Sequence, residues 1–137
     1  MDFVVEFADG VFLLKFAFAA FFAILFLQSG LDKLLNFKDN LSWLTGHFSK
    51  SPLRGTVPLL LVIVTLSELS AGALSLAGFV QLLVFSKATL AFLGNVLAVC
   101  SLVFLFFGQR LAKDYAGAAS IVSYFIAASF GLLVQAW

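Results

Sequence analysis

Glu68 is the residue from which chemistry can be argued. It sits within Thr65-Leu66-Ser67-Glu68-Leu69-Ser70-Ala71-Gly72-Ala73-Leu74-Ser75, inside an otherwise apolar run from Pro58 to Leu83. A charge at the centre of a membrane helix costs about 2.5 to 3.5 kcal/mol on insertion scales, so such a residue faces other helices and takes a partner. At helical spacing Thr65, Glu68, Gly72 and Ser75 share one face, with Ala71 and Gly78 beside it. The small and polar side of this helix therefore faces protein. An acid there can bind a ligand head group, relay a proton, or simply join helices.

Counting about 1.5 Å of rise per residue from the loop ends, Glu68 is expected roughly 20 Å deep, with Asn95 and Ser129 at a similar level as its partners. Gln28, Ser29, Ser120 and Tyr124 form a second polar layer nearer the loop side, above Asp32 and Lys33. Two such layers could hold a quinone head group, a lipid head or a short proton path. A packing role competes with each. Glu68 bonded to Asn95 would hold helices together without any ligand, Asp32 and Lys33 read as a solvated helix end, and Cys100 reads as a small packing residue.

Composition sets the surroundings of these residues. Hydrophobic types make up 63% of the 137 residues and charged types 11%, with a mean hydropathy of +1.12. Soluble domains carry about a quarter charged residues, so this is an integral membrane protein. A net charge of +1 without a basic cluster argues against a nucleic-acid partner. One cysteine, Cys100, excludes an internal disulfide, and one histidine, His47, excludes haem held between two histidines or a multi-histidine metal site. No metal, no cofactor ligand set and no complete catalytic set can be assembled from this chain alone. It is expected not to be an enzyme by itself.

The elements that must position Glu68 follow from the apolar runs. We expect residues 1–137 to form a single transmembrane domain. Its fold class is all-α, an integral-membrane four-helix bundle with helices over about 11–35, 53–83, 88–107 and 115–136. Between the first two, Phe37, Leu41, Leu44 and Phe48 recur as an amphipathic stripe with Trp43 alongside. A short interfacial helix over about 39–48 is expected there. Ser51-Pro52 reads as the cap and first residue of the second span, with Pro58 kinking its first turns. Phenylalanines and alanines of the first span serve lipid contact and packing. Ala91, Gly94, Ala98 and Ser101 line the third span, and Gly117, Ser120, Tyr124, Ala128, Gly131 and Gln135 track one face of the fourth.

The leader carries Asp2, Glu6 and Asp9 rather than lysines, and the apolar run continues past Ala17-Phe18-Ala19. The first segment therefore reads as a membrane helix rather than a cleaved signal. Lys33, Lys38, Lys50, Arg54, Arg110 and Lys113 lie on the side of the first and third loops, against Lys15 and Lys87 on the other. That bias predicts those loops in the cytoplasm and both termini outside.

Phe26-Leu27-Gln28-Ser29-Gly30-Leu31-Asp32-Lys33-Leu34-Leu35-Asn36-Phe37 resembles the end of the first helix of the DoxX family of small four-helix bacterial membrane proteins. Leu66-Ser67-Glu68-Leu69-Ser70-Ala71-Gly72 resembles that family's glutamate-bearing second helix. In the first motif Gly30, Asp32 and Lys33 are the family-like positions. The turn after the second helix departs from the family, reduced here to Gly78-Phe79-Val80-Gln81 and Lys87. The resemblance implies a bacterial cytoplasmic (inner) membrane protein. Family members are similar to a small subunit of a terminal quinol oxidase and of a thiosulfate:quinone oxidoreductase. The expected function is a non-catalytic accessory subunit of a quinone-linked respiratory complex, with quinone or lipid as the ligand. Its expected partners are membrane lipid and other membrane subunits or further copies of itself. The alternatives are a stand-alone carrier or proton conductor, and a structural or assembly scaffold.

Overall fold

A computed structural model describes residues 2–137, which form five helices and no strand among the described residues. They are α1 (Phe3–Leu35), α2 (Phe37–His47), α3 (Val57–Phe85), α4 (Thr89–Leu111) and α5 (Tyr115–Ala136). All but α2 are long and apolar enough to cross a membrane. The protein is therefore a multi-pass helical membrane bundle. Helix α1 packs along α3, α3 along α4 and α4 along α5, while α1 meets α4 and α5 over shorter stretches.

Several boundaries differ from expectation. Helix α1 starts at Phe3, because the Asp2 carboxylate accepts from the Val4 N–H at 3.2 Å and caps the acidic leader into the helix. Ser51-Pro52 does not open the second span. The Ser51 hydroxyl instead accepts from the Leu53 N–H in a turn, and Gly55 at φ +85° redirects the chain. Helix α3 begins four residues later than expected, and Pro58 lies in its first turn, where the missing N–H breaks no intrahelical bond. At the other end α4 runs four residues past 107, to Leu111.

The core is a column of small residues filled by two phenylalanines. Phe22 and Phe26 pack against Ala71, Ala98, Leu102 and Ala128, with Ile121 at the margin. A smaller cluster of Ala19, Leu82 and Ala91 lies nearer the termini, flanked by Phe16 and Phe79. Gly78 permits the α3–α4 approach, since a Cβ there would collide with the Ala91 backbone. Gln81 secures the turn between them by accepting from the Leu90 N–H at 3.0 Å, satisfying a donor in the first turn of α4.

Ala91, Gly94, Ala98 and Ser101 are buried as the seam of α4. The inward face of α5 is different from the expected one. Ala128, Gly131 and Gln135 are buried, but Ser120 and Tyr124 are exposed and Ala118 and Ile121 turn inward. Successive steps of four drift off a helix of 3.6 residues per turn, whereas a step of seven from Ala128 lands on Ile121.

Helix α2 crosses the end of the bundle. Phe37, Leu41, Leu44 and Phe48 are half-buried against it and Trp43 is exposed, as the amphipathic stripe requires. Asn36 and Asn40 tie its start to Asp32. His47 at its far end lies 3.2 Å from Gln109 Oε1 and 3.4 Å from Asp114 Oδ2, with Trp43 stacked on its ring.

Candidate functional site

The α1–α3 interface is built on two reciprocal glycines. A Cβ on Gly30 would come within 3.1 Å of the Leu69 backbone nitrogen, and one on Gly72 within 2.7 Å of that of Leu27. Each glycine thus receives the other helix, and the backbones close to a distance that larger residues forbid. One turn from Gly30 and one turn from Gly72, on the facing sides, stand Lys33 and Glu68.

Lys33 Nζ lies 3.1 Å from Glu68 Oε2 and donates to Ser29 Oγ at 2.7 Å. Glu68 is 1% exposed, and the Lys33 side chain 19%. This is one of two ion pairs among the described residues; the other joins His47 and Asp114 at the rim. The Lys33–Glu68 pair is a single contact to one carboxylate oxygen, with Ser29 holding the amine in place.

The expected partners of Glu68 are therefore corrected. Asn95 donates to the Ala128 carbonyl at 2.7 Å, and the Ser129 hydroxyl donates to its own helix at Phe125. Neither reaches the acid. Glu68 is eleven residues into α3, whereas Asn95 is sixteen residues from the end of α4. At about 1.5 Å per residue this separates their depths by roughly 7 Å. The two helix ends that lay four residues from their expected positions account for the error. Lys33, assigned to a solvated helix end, is instead the acid's partner, and its neighbour Asp32 is the exposed member.

The second polar layer does not assemble. Ser29 joins the pair through Lys33, but Gln28, Ser120 and Tyr124 all lie on the outer surface. Cys100 is likewise exposed rather than packed between helices. Ser67 and Ser101, singled out for neither layer, bond to each other across α3 and α4 at the level of Glu68.

A groove opens beside the pair. Lys33 forms one wall of a cavity of about 140 Å³ lined by Leu44 of α2 and Phe48 just beyond it, Leu60, Leu61 and Val64 of α3, and Phe104 and Gly108 of α4. Apart from Lys33 the polar residue on its wall is Gln109, whose Oε1 is already engaged by His47. A second hollow of about 160 Å³ shares Val64 and Phe104 with it and reaches Ser67, Cys100 and Ser101. Sequence reasoning missed this groove, because its walls come from three helices with no motif in common. The signal it did carry was the offset of Lys33 from Gly30 and of Glu68 from Gly72.

Among the described residues no group of three histidine, cysteine or carboxylate side chains is placed to hold a metal. The arrangement sets a buried ion pair beside an apolar groove that Lys33 helps to line. Compared with family models, curated proteins and solved structures, the chain has no match in any of the three.

Proposed function

We propose that the chain is a small, non-catalytic accessory subunit of a larger quinone-linked membrane complex, and that the Lys33–Glu68 pair is the polar end of the site it contributes. The observation that carries this reading is the position of the pair, buried between α1 and α3 yet bordering an open apolar groove. Buried ion pairs often stabilise a fold no better than apolar side chains of the same volume. A pair placed beside a cavity is therefore better accounted for by a ligand than by packing alone. The likeness of residues 26–37 and 66–72 to the DoxX family supports the redox association. In this reading electron-carrying groups belong to the partner subunits, and the exposed apolar faces of α1, α4 and α5 meet lipid or partner helices.

The same reading places the protein in a bacterial cytoplasmic membrane with α2 and the α4–α5 turn inside and both termini outside, on the bias of lysine and arginine between the two ends. A cysteine tag at either terminus, in a Cys100→Ser background, should react with an impermeant reagent on intact cells. Reaction only after permeabilisation refutes that orientation. The carrier alternative has less support, because Phe22 and Phe26 close-pack the bundle centre against Ala71, Ala98, Leu102 and Ala128.

Purification of the tagged protein from its native membranes in mild detergent, with native mass analysis and a reduced-minus-oxidised spectrum, tests the main claim. Co-purifying subunits with haem or flavin bands are expected. A colourless monomer or homo-oligomer overturns the accessory-subunit reading.

A further inference from the structure

We propose that the outward face of α1 is a homodimer interface, at which Gln28 bonds to its counterpart in a second copy of this chain. The two-fold axis runs along the membrane normal. The proposal goes beyond the reading above and rests on it only for the single orientation of every copy in the membrane.

The amide side chains come first. The four spans carry five of them, Gln28, Gln81, Asn95, Gln109 and Gln135. Gln81 accepts from the Leu90 N–H, Asn95 donates to the Ala128 carbonyl, Gln109 meets His47, and Gln135 donates to the Lys15 carbonyl. Gln28 alone is left without a hydrogen bond among the described residues, and it is exposed. Asp32, one turn on, is engaged by Asn36 and Asn40 instead. Gln28 lies seven residues before the end of α1 at Leu35, about 10 Å inside it and deeper than Lys33. At that depth a lipid-facing surface meets hydrocarbon, so the amide needs a partner from another molecule.

The face around it comes next. Ala17, Phe21, Ile24, Gln28, Leu31 and Leu35 recur at steps of four and three, and all are exposed. They lie opposite Phe22, Phe26 and Gly30, which are buried against the rest of the bundle. This is the spacing of a seam between two helices crossing at a shallow angle, with one polar residue to fix the register.

Symmetry then selects the partner. Six of the eight lysines and arginines lie toward the α2 end, which gives every copy the same orientation. A two-fold axis along the membrane normal therefore sets each seam residue against its own counterpart at equal depth. An amide carries donors and an acceptor together, so Gln28 is its own complement, whereas a lipid tail offers neither.

The test uses single-cysteine variants of the full chain in a Cys100→Ser background, oxidised in native membranes. Ile24→Cys and Leu31→Cys should each give a disulfide-linked species of twice 14.8 kDa. Leu66→Cys, exposed on α3, should give none. Leu31 is near one end of the span, so its cross-link forms only between copies of the same orientation. In liposomes, energy transfer between labelled copies should report association that weakens about fivefold in Gln28→Leu and is largely kept in Gln28→Asn. The thermal midpoint in excess detergent should hold in both variants, because Gln28 makes no bond within the protomer.

A parent protein that stays monomeric in liposomes, or association unchanged by Gln28→Leu, overturns the proposal. So do seam cysteines that link only to a protein of another mass, and dimers that cross-link through Leu66→Cys but not through the seam. Terminal tags that react on both sides of the membrane, with no Leu31→Cys cross-link, overturn it together with the single orientation. A colourless homodimer joined at the seam supports this proposal and sinks the accessory-subunit reading. A redox complex holding one copy of the chain does the reverse.

Discussion

Lys33 and Glu68 stand 35 residues apart in the chain and meet at 3.1 Å across α1 and α3. Their meeting depends on backbone approach at Gly30 and Gly72 rather than on the charges themselves, because a Cβ at either glycine would press on the facing helix.

Breaking the pair from one side should cost more than removing it. Lys33→Met leaves a 1% exposed carboxylate without its cation and should destabilise the bundle by about 3 kcal/mol, the low end for a buried pair because Lys33 is partly open. The double variant with Glu68→Met should recover most of that loss. A double-mutant cycle from unfolding in denaturing detergent measures it, and additive single effects would show the contact to be energetically idle.

Gly72→Ala should destabilise by about 1 to 3 kcal/mol, since its methyl group would lie 2.7 Å from the Leu27 backbone nitrogen and the helices must part. Gly10→Ala is the control. Nothing lies within 4 Å of a Cβ there, so inside α1 the change should be neutral or stabilise by up to about 1 kcal/mol. The thermal midpoint should fall for Gly72→Ala and hold or rise for Gly10→Ala.

Asn95→Ala should cost only about 1 kcal/mol, by loss of the bond to the Ala128 carbonyl, because the amide oxygen of Asn95 is buried without a partner in any case. Its cost should be the same in the background of Lys33→Met with Glu68→Met. A non-additive cycle would mean that Asn95 and Glu68 act as one layer after all.

His47→Ala should loosen α2 without unfolding the spans. It removes contacts to Gln109 and Asp114 at the rim, each worth about 0.2 to 1 kcal/mol at such exposure. Amide exchange should accelerate across residues 37–47 and stay unchanged in α3. Uniform acceleration would mean that α2 is not a separate unit of stability.

The all-helical architecture and the four long apolar helices were legible in the residues alone, because membrane spans need only an unbroken apolar length with satisfied backbone bonds. The same holds for α2, whose stripe of Phe37, Leu41, Leu44 and Phe48 depends on local period and not on neighbours. Glu68 too was identifiable as a residue in need of a partner, since burial of a carboxyl in an apolar run is costly wherever the helix packs. Which partner it takes was decided by the tertiary structure. Helix ends displaced by four residues moved Asn95 more than one turn out of reach, while the glycine contacts at 30 and 72 drew Lys33 into range. Register between helices is a property of pairs of surfaces, and it depends on how closely two backbones approach. No periodicity within one helix encodes that distance, and for the same reason the groove walled by α2, α3 and α4 became visible only once the three were packed together.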